Sequence, residues 1–455
     1  MPVNSTHPQY DAALNRWQRC RDCYEGEDAV KSRGTEYLPK PGGLTDKEYK
    51  DYSQRALFYE CVGRTIDGFV GAIARKPPVI EASEKLNDVI GDITLDGLSV
   101  EELIKQLCTE IILQGRGALL GDYDEKTQRA YLRLYPAEAI TNWSEGSVVV
   151  NETVYEPDAE DAFKQNSITQ YRHLTVVGGI YTVTIWRKIK NKDGLDEWAV
   201  YDTRVPTIKG KTFSEIPWFW LTPLGKTSRI ERPPMLGLVS VSLSHFRNSA
   251  DLEHGLHYTG LPTLCVAGDG FDADAKISVG SLSAIITSDS TAKVWYAEVK
   301  GDFKGLENTM QGKEAKMAVL GASVFADEKK GVESEATARI RQSGQTSLLS
   351  GVVTAVEETL TAALQCVADW MGAAGKVSVT LNREFVDTKM DGPTLVGLVA
   401  AFQSGALTIE QFLYNLQQGD LLAPDTDIEE EAVAVAAAKK VADAAAAKLN
   451  IKPAA

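Results

Sequence analysis

The chain has no apolar run approaching the roughly 18 residues that a membrane-crossing helix requires, and its opening Pro2-Val3-Asn4-Ser5-Thr6-His7 lacks the charged and apolar regions of a signal peptide. Synthesis in a cytoplasm is expected. Cysteine is scarce: six residues lie scattered at 20, 23, 61, 108, 265 and 366 of 455, a poor disulfide framework, so reduced thiols are expected. Sequons at Asn4, Asn142 and Asn151 then carry no glycan, because glycosylation requires a secretory route. No Gly-x-Ser-x-Gly and no His-Glu-x-x-His occurs, which leaves nucleophile-elbow hydrolases and zincin proteases without support.

Positive charge is also short, with 48 Lys and Arg against 63 Asp and Glu and a net charge of −15. A protein that grips DNA by neutralising phosphates needs clustered cations. The balance does not exclude DNA, since an acidic channel repels a duplex from its walls and lets it slide; a solvated surface that aids solubility fits equally. Gly210-Lys211-Thr212 and Gly225-Lys226-Thr227 end like P-loops, but Val205 and Trp220 stand where the leading glycine belongs. Cys20-Arg21-Asp22-Cys23 has redox spacing inside an amphipathic helix, with no preceding strand and no second pair for zinc. Asp251, His254 and His257 fall near one side of a helix; a structural or interface role is the stronger reading than a metal. Asp269-Gly270-Phe271-Asp272-Ala273-Asp274 fails the EF-hand spacing and reads as a polar turn. No catalytic, cofactor-binding or metal site is expected.

What the chain does contain is enough apolar content, 44% over 455 residues, for two or more packed modules. A first helix is predicted over Gln9 to Lys31. Thr45-Asp46-Lys47-Glu48 is a capping box opening a second, with Tyr49, Tyr52, Ala56, Tyr59, Val62, Ile66, Phe69 and Ile73 on one face until Pro77-Pro78. Ser99-Val100-Glu101-Glu102 opens a third, ending at Gly115 and Gly117. From about Ala118 to Thr222 the period is that of strands. Gly178-Gly179 joins Gln170–Val177 to Ile180–Arg187 as a hairpin, and Asp193-Gly194 leads to a further strand, so helices on a mainly antiparallel sheet are expected.

The stretch from Arg232 to Leu360 is the most informative. A helix from Pro233-Pro234 to Gly260 places Leu236, Val239, Leu243, Phe246, Ala250 and Leu256 near helical period. Strand-like runs follow at Leu264–Ala267, Ala284–Thr287 and Lys293–Tyr296. A second helix runs from Leu306 to Phe325, then Asp327-Glu328-Lys329-Lys330-Gly331 interrupts it as a loop. From Ser334 a long helix carries Leu349, Val352, Val353, Val356, Leu360, Leu364, Val367 and Trp370 as one stripe. Lys376–Leu381 reads as a returning strand, Thr408-Ile409-Glu410-Gln411 as a third capping box, and the acidic then alanine-rich end as a helix with little to bury.

Arg75-Lys76-Pro77-Pro78, Arg232-Pro233-Pro234-Met235-Leu236, His245-Phe246-Arg247-Asn248-Ser249-Ala250-Asp251, Gly260-Leu261-Pro262-Thr263, Gly280-Ser281, Met317-Ala318-Val319-Leu320-Gly321-Ala322 and Glu335-Ala336-Thr337-Ala338 occur in that order. Together they resemble one branch of the tailed-bacteriophage portal (head-tail connector) family across most of the chain. The resemblance implies an α+β portal-type subunit. Its parts would be a helix-plus-antiparallel-sheet wing (1–232), stem helix 1 (233–260), a small β-rich clip (261–303) and stem helix 2 (304–322). A tunnel loop (323–336), a long wing helix with the returning strand (337–404) and a helical crown (405–455) would follow. It further implies a closed ring of about twelve subunits at a capsid vertex of the virion, assembled in the host cytoplasm.

Double-stranded DNA would pass through that ring in packaging and ejection, a terminase large subunit and then tail or adaptor proteins would dock on it, and major capsid or scaffold protein would surround it. No membrane and no enzyme activity are implied. Asp327, Glu328, Lys329, Lys330 and Glu333 are the candidate DNA-facing loop residues, and Arg247, Asp251, His254, His257, Lys313 and Lys316 the candidate stem residues. A different virion structural protein, capsid or head-tail adaptor, shares the acidic composition; a packaging-associated enzyme would need a phosphate loop or carboxylate cluster that is not found.

Overall fold

All three capping boxes open helices. The Thr45 and Ser99 side chains accept from the amides of Glu48 and Glu102, whose carboxylates bond back to the cap, and Thr408 and Gln411 exchange bonds of 3.1 and 3.3 Å. The structure is a computed structural model that describes residues 2–158, 160–161, 163–190, 194–208, 210–260, 263–268, 290–297, 302–321, 335–373, 375–385, 392–418, 421–423, 426–435 and 437. Its helices and first strand begin with α1 (Pro8–Glu25), α2 (Glu27–Ser32), α3 (Asp46–Arg55), α4 (Cys61–Ile73), β1 (Val79–Glu81), α5 (Glu84–Ile90) and α6 (Val100–Gln114). The strands β2 (Gly117–Asp124), β3 (Arg129–Pro136), β4 (Ile140–Ser144), β5 (Ser147–Pro157), β6 (Gln165–Val177), β7 (Ile180–Lys190) and β8 (Asp196–Arg204) follow. Next come β9 (Thr207–Ile208), β10 (Lys211–Thr212), β11 (Trp218–Leu221), α7 (Leu236–Gly260), β12 (Thr263–Ala267), β13 (Lys293–Ala297), α8 (Lys304–Leu320), α9 (Glu335–Trp370) and β14 (Ser378–Thr380). These belong to a compact unit, Met1–Arg383; a second, Glu384–Ala455, holds α10 (Gly392–Gln403) and α11 (Ile409–Gln418), whose Phe402 and Phe412 rings stack at 4.6 Å.

The fold is mixed helix and antiparallel sheet. In place of one sheet in the N-terminal half there are two main ones: a meander ordered β4-β5-β6-β7-β8 and a three-stranded sheet ordered β11-β2-β3. The meander turns at Gly178 and Gly179, both at positive φ (61° and 76°), the conformation a two-residue hairpin demands and a Cβ resists. One face of the meander buries Val148, Val150, Leu174, Tyr181, Val183 and Ile185 against Trp17 of α1, Ala118 and Leu120 of β2 and Tyr135 of β3. The returning strand is β14, and it pairs with β1 across nearly the whole unit. The α9 stripe from Leu349 to Trp370 is buried throughout. The run at 284–287 lies outside the described residues.

Two predicted helices are broken, and the cause is tertiary. Gly26, at φ 101°, separates α1 from α2; a Cβ there would lie 2.7 Å from Glu60 Oε1. The second helix stops at Arg55 because the Leu57 amide donates to Ser249 Oγ (2.8 Å) and the Phe58 amide to Glu27 Oε2 (2.8 Å), partners 192 and 31 residues away. Pro233 and Pro234 precede α7 instead of opening it, forming a turn in which the Leu236 amide donates to the Pro233 carbonyl.

Between the sheets the interior is ionic. Arg172 donates to Glu152 and Asp122 at 2.8 Å each, Arg204 to Asp122 at 2.8 Å, Gln170 to Glu152 at 2.8 Å, and the Tyr135 hydroxyl to Glu152. Burial alone would raise the Glu152 pKa; Arg172 and Arg133 hold the carboxyl below its usual range. A second buried cation, Arg116, has no exposed surface and its guanidinium carbon sits 3.9, 4.6 and 5.9 Å from the Trp143, Trp220 and Trp17 ring centroids. Its nitrogens find no hydrogen-bond partner among the described residues, and burial pushes its pKa down to about 9. The indole faces supply the negative potential that a carboxylate would otherwise provide.

Removing Arg172 takes a cation from two buried carboxylates and leaves Asp122 only Arg204, so Arg172→Met destabilises the fold by about 3–5 kcal/mol, read as a lowered midpoint in thermal or denaturant unfolding. Because the Glu152 pKa is depressed in the folded state, its contribution is full above the ordinary glutamate pKa and lost as pH falls through the lowered value. Melting temperature measured against pH therefore falls less steeply on acidification for Glu152→Gln than for the wild type.

Candidate functional site: the paired helices α7 and α8

The buried residues of α7 all lie between Leu236 and Ala250; from Asp251 to Gly260 none is buried. The helix is thus a 25-residue rod, about 37 Å long at 1.5 Å per residue, rooted at one end and standing free of the core at the other. Alongside it α8 runs antiparallel. Leu238 lies by Gly321, Ser242 donates to Met317 Sδ (3.5 Å), His245 Nε2 meets Glu314 Oε1 (3.1 Å), Lys313 donates to Asn248 Oδ1 and to the Ser244 carbonyl (3.0 Å), and Gly255 faces Phe303. The strands β12 and β13 pair antiparallel between the two helices, with Trp295 and Val294 exposed on β13.

Two glycines set how closely the rods approach. A Cβ on Gly255 would sit 2.5 Å from Phe303 Cε1, and one on Gly321 2.5 Å from Thr65 Oγ1 and 3.3 Å from Leu238 Cδ2. At its rooted end α7 is tied to the first helices: Tyr52 donates to Asp251 Oδ1 (2.7 Å), Arg247 Nε to the Tyr37 carbonyl (2.8 Å), and Phe58 meets Phe246 edge-on at 6.1 Å.

Of the candidate stem residues, Arg247 and Asp251 are exposed yet hold these intrachain partners. His254 and His257 flank Tyr258 at 4.7 and 5.7 Å, and His254 also meets Tyr52 edge-on. Partial burial, Arg55 and His257 lower the His254 pKa against the opposing pull of Asp251 and Glu48. Burial, Arg247 and Lys316 likewise lower that of Lys313. Arg247, Lys313 and Lys316 therefore lie near one another, Arg247 and Lys316 exposed and Lys313 half-buried. Asp327, Glu328, Lys329, Lys330 and Glu333 lie outside the described residues. The sequence reading gave His245 only as part of a motif and missed Glu314, Gly255 and Phe303, because helical spacing names no partner across the pair.

Among the described residues no group of His, Cys, Asp and Glu is placed to hold a metal ion, and no helix is long and apolar enough to cross a membrane. Cys20 and Cys23 are buried free thiols, and burial pushes that of Cys20 up to about 12. What this arrangement offers is a bar of two paired helices carrying charged side chains.

One family matches, Domain of unknown function (DUF4055), over residues 234–371, the span of α7 to α9. No curated protein matches the chain. Among solved structures, it is similar to a chain in the neck of an empty GTA particle, with 14% identity and a TM-score of 0.39 over 76% of this chain and 86% of that one. A chain in the virion of a native gene transfer agent (GTA) particle gives 12% identity and 0.38 over 84% and 93%. An HK97-family phage portal protein from Corynebacterium diphtheriae gives 11% identity and 0.29 over 70% and 91%. Phage-portal and particle-neck structures are thus what this chain is similar to.

Gly255→Ala forces the Phe303 ring aside and costs about 1–3 kcal/mol. Adding Phe303→Leu recovers part of that loss, and a double-mutant cycle of melting midpoints measures the coupling.

Proposed function

We propose that the chain is the repeating subunit of a ring that serves as a conduit for double-stranded DNA at a virion vertex, a structural part with no enzymatic step. The observation that carries this reading is the antiparallel pair α7 and α8, rooted in the core along Leu236–Ala250, bridged by β12 and β13 and followed by the 36-residue α9. A rod of that length, rooted in a large mixed body and tipped by a small sheet, is suited to line a wall. Of the ordered motifs that resemble the portal family, all but Arg75-Lys76-Pro77-Pro78 fall between 232 and 338. On this reading 1–232 and 337–404 are wing, 233–260 and 304–322 stem, 261–303 clip, 323–336 tunnel loop and 405–455 crown.

The ring acts passively. Copies meet head to tail through one heterologous interface that closes at about twelve. A terminase large subunit docks on the clip and moves DNA using its own ATP, major capsid or scaffold protein holds the ring, and a tail or adaptor protein later takes the terminase's place. A net charge of −15 suits a channel whose walls must not trap a duplex. The patch of Arg247, Lys313 and Lys316, with Lys329 and Lys330 of the loop, supplies the few cations that touch phosphate.

Native mass and negative-stain images test this directly. Channelled rings of about a dozen copies are expected; a monodisperse monomer at high concentration argues for an adaptor or other virion protein. Replacing Lys316, Lys329 and Lys330 by Ala is expected to leave rings intact and to lower the amount of DNA packaged or retained, and unchanged packaged length would remove the proposed role of these lysines.

A further inference from the structure

In the second compact unit, α10 is apolar almost all round and only partly covered. Its 12 residues carry no charge and include Leu395, Val396, Leu398, Val399 and Phe402, yet none of its described side chains is buried. Phe402 stacks on Phe412, so one side of the helix is turned to α11. Val396, Gly397, Ala400 and Gln403 lie on the far side by helical spacing, and all four are exposed, Val396 at 69%. A helix with no charged face is stable when it is covered, and Gly397 and Ala400 let a second helix approach that side closely.

The chain that follows has the chemistry of a cover. It is helical again over 428–435, where the Asp427 carboxylate caps the first turn by accepting from the Glu429 and Glu430 amides (2.9 and 3.1 Å), and Ala432 is buried. The described residues end at 437, and the sequence runs on to Ala455 within the same unit. In that remainder Ala438, Val441, Ala442, Ala445 and Leu449 recur at helical period, with Lys439, Lys440 and Asp443 on the other side. The stripe spans as many residues as α10, about 18 Å as a helix. Alanine buries little against a bulky partner; against Val396, Gly397 and Ala400 the two backbones can close to about 8 Å, and small side chains then stay in contact along the whole length.

We infer that residues 438–449 lie as a helix along the Val396–Gly397–Ala400 side of α10 and close the core of the second unit, with Lys439 and Lys440 left in water. The occupant is this segment rather than a second copy because it is tethered within the unit, at an effective concentration on the order of millimolar, and because its apolar stripe matches the open side of α10 in length and in side-chain size. The inference stands independently of the ring reading.

The test uses the full chain with Val396 replaced by the photoreactive analogue p-benzoylphenylalanine. Irradiation is expected to give cross-links within one copy that map to 438–451; cross-links between copies, or to other segments alone, overturn the inference. Amide hydrogen exchange gives a second reading. Val441→Asp combined with Ala445→Asp is expected to speed exchange across 395–402 by roughly tenfold or more, whereas Lys440→Asp, on the other side of the stripe, leaves it at the wild-type rate. Equal protection of α10 in the wild type and the double variant overturns the cover, and so does a loss of protection in Lys440→Asp as large as in the double variant.

Discussion

Close approach to α7 is the constraint on which the first compact unit depends. Its first fifteen residues are covered on several sides at once, and each neighbour is held by a polar contact beside the apolar seam. Ser249 takes an amide from the break between α3 and α4, Arg247 takes a carbonyl from the turn after α2, and His245 meets Glu314 on α8. Such bonds add little net energy when made and cost much when one partner is lost. They therefore fix which helices lie against α7 and at what level, while Leu243, Phe246 and Ala250 supply the burial.

The sheets are joined on a different principle. Arg172 lies between two carboxylates from different strands, and each of those carboxylates accepts at least two hydrogen bonds. A closed ionic cluster tolerates no change of register, since a slip by one residue would turn Arg172 to the opposite face of β6. The result is a stiff body behind a long, lightly packed helix pair.

Much of this was legible from the chain, and the failures share a cause. Capping boxes, the Gly178–Gly179 hairpin and the α9 stripe are signals within a few residues, and they hold because local geometry alone decides them. The breaks at Gly26 and after Arg55 were unreadable because Glu60, Ser249 and Glu27 act from outside the local window. Two sheets read as one because alternation reveals that a face is buried without saying against what. Of the candidate site, Asp251, His254 and His257 do share a region with Tyr52 and Tyr258, but Tyr52, the partner of Asp251 and His254, comes from α3, which periodicity on α7 cannot name.

Arg116 has a bearing on the order in which the chain can fold. Its three indoles come from positions 17, 143 and 220, and no one of them alone can strip water from the guanidinium without leaving it bare on the other sides. Docking α1 while β11 is still loose would bury a half-dehydrated cation, and the same holds for any other incomplete set. The three arrivals are thereby coupled into a single late event spanning more than two hundred residues of chain, a long loop closure that slows folding and makes the assembled body come apart as a whole.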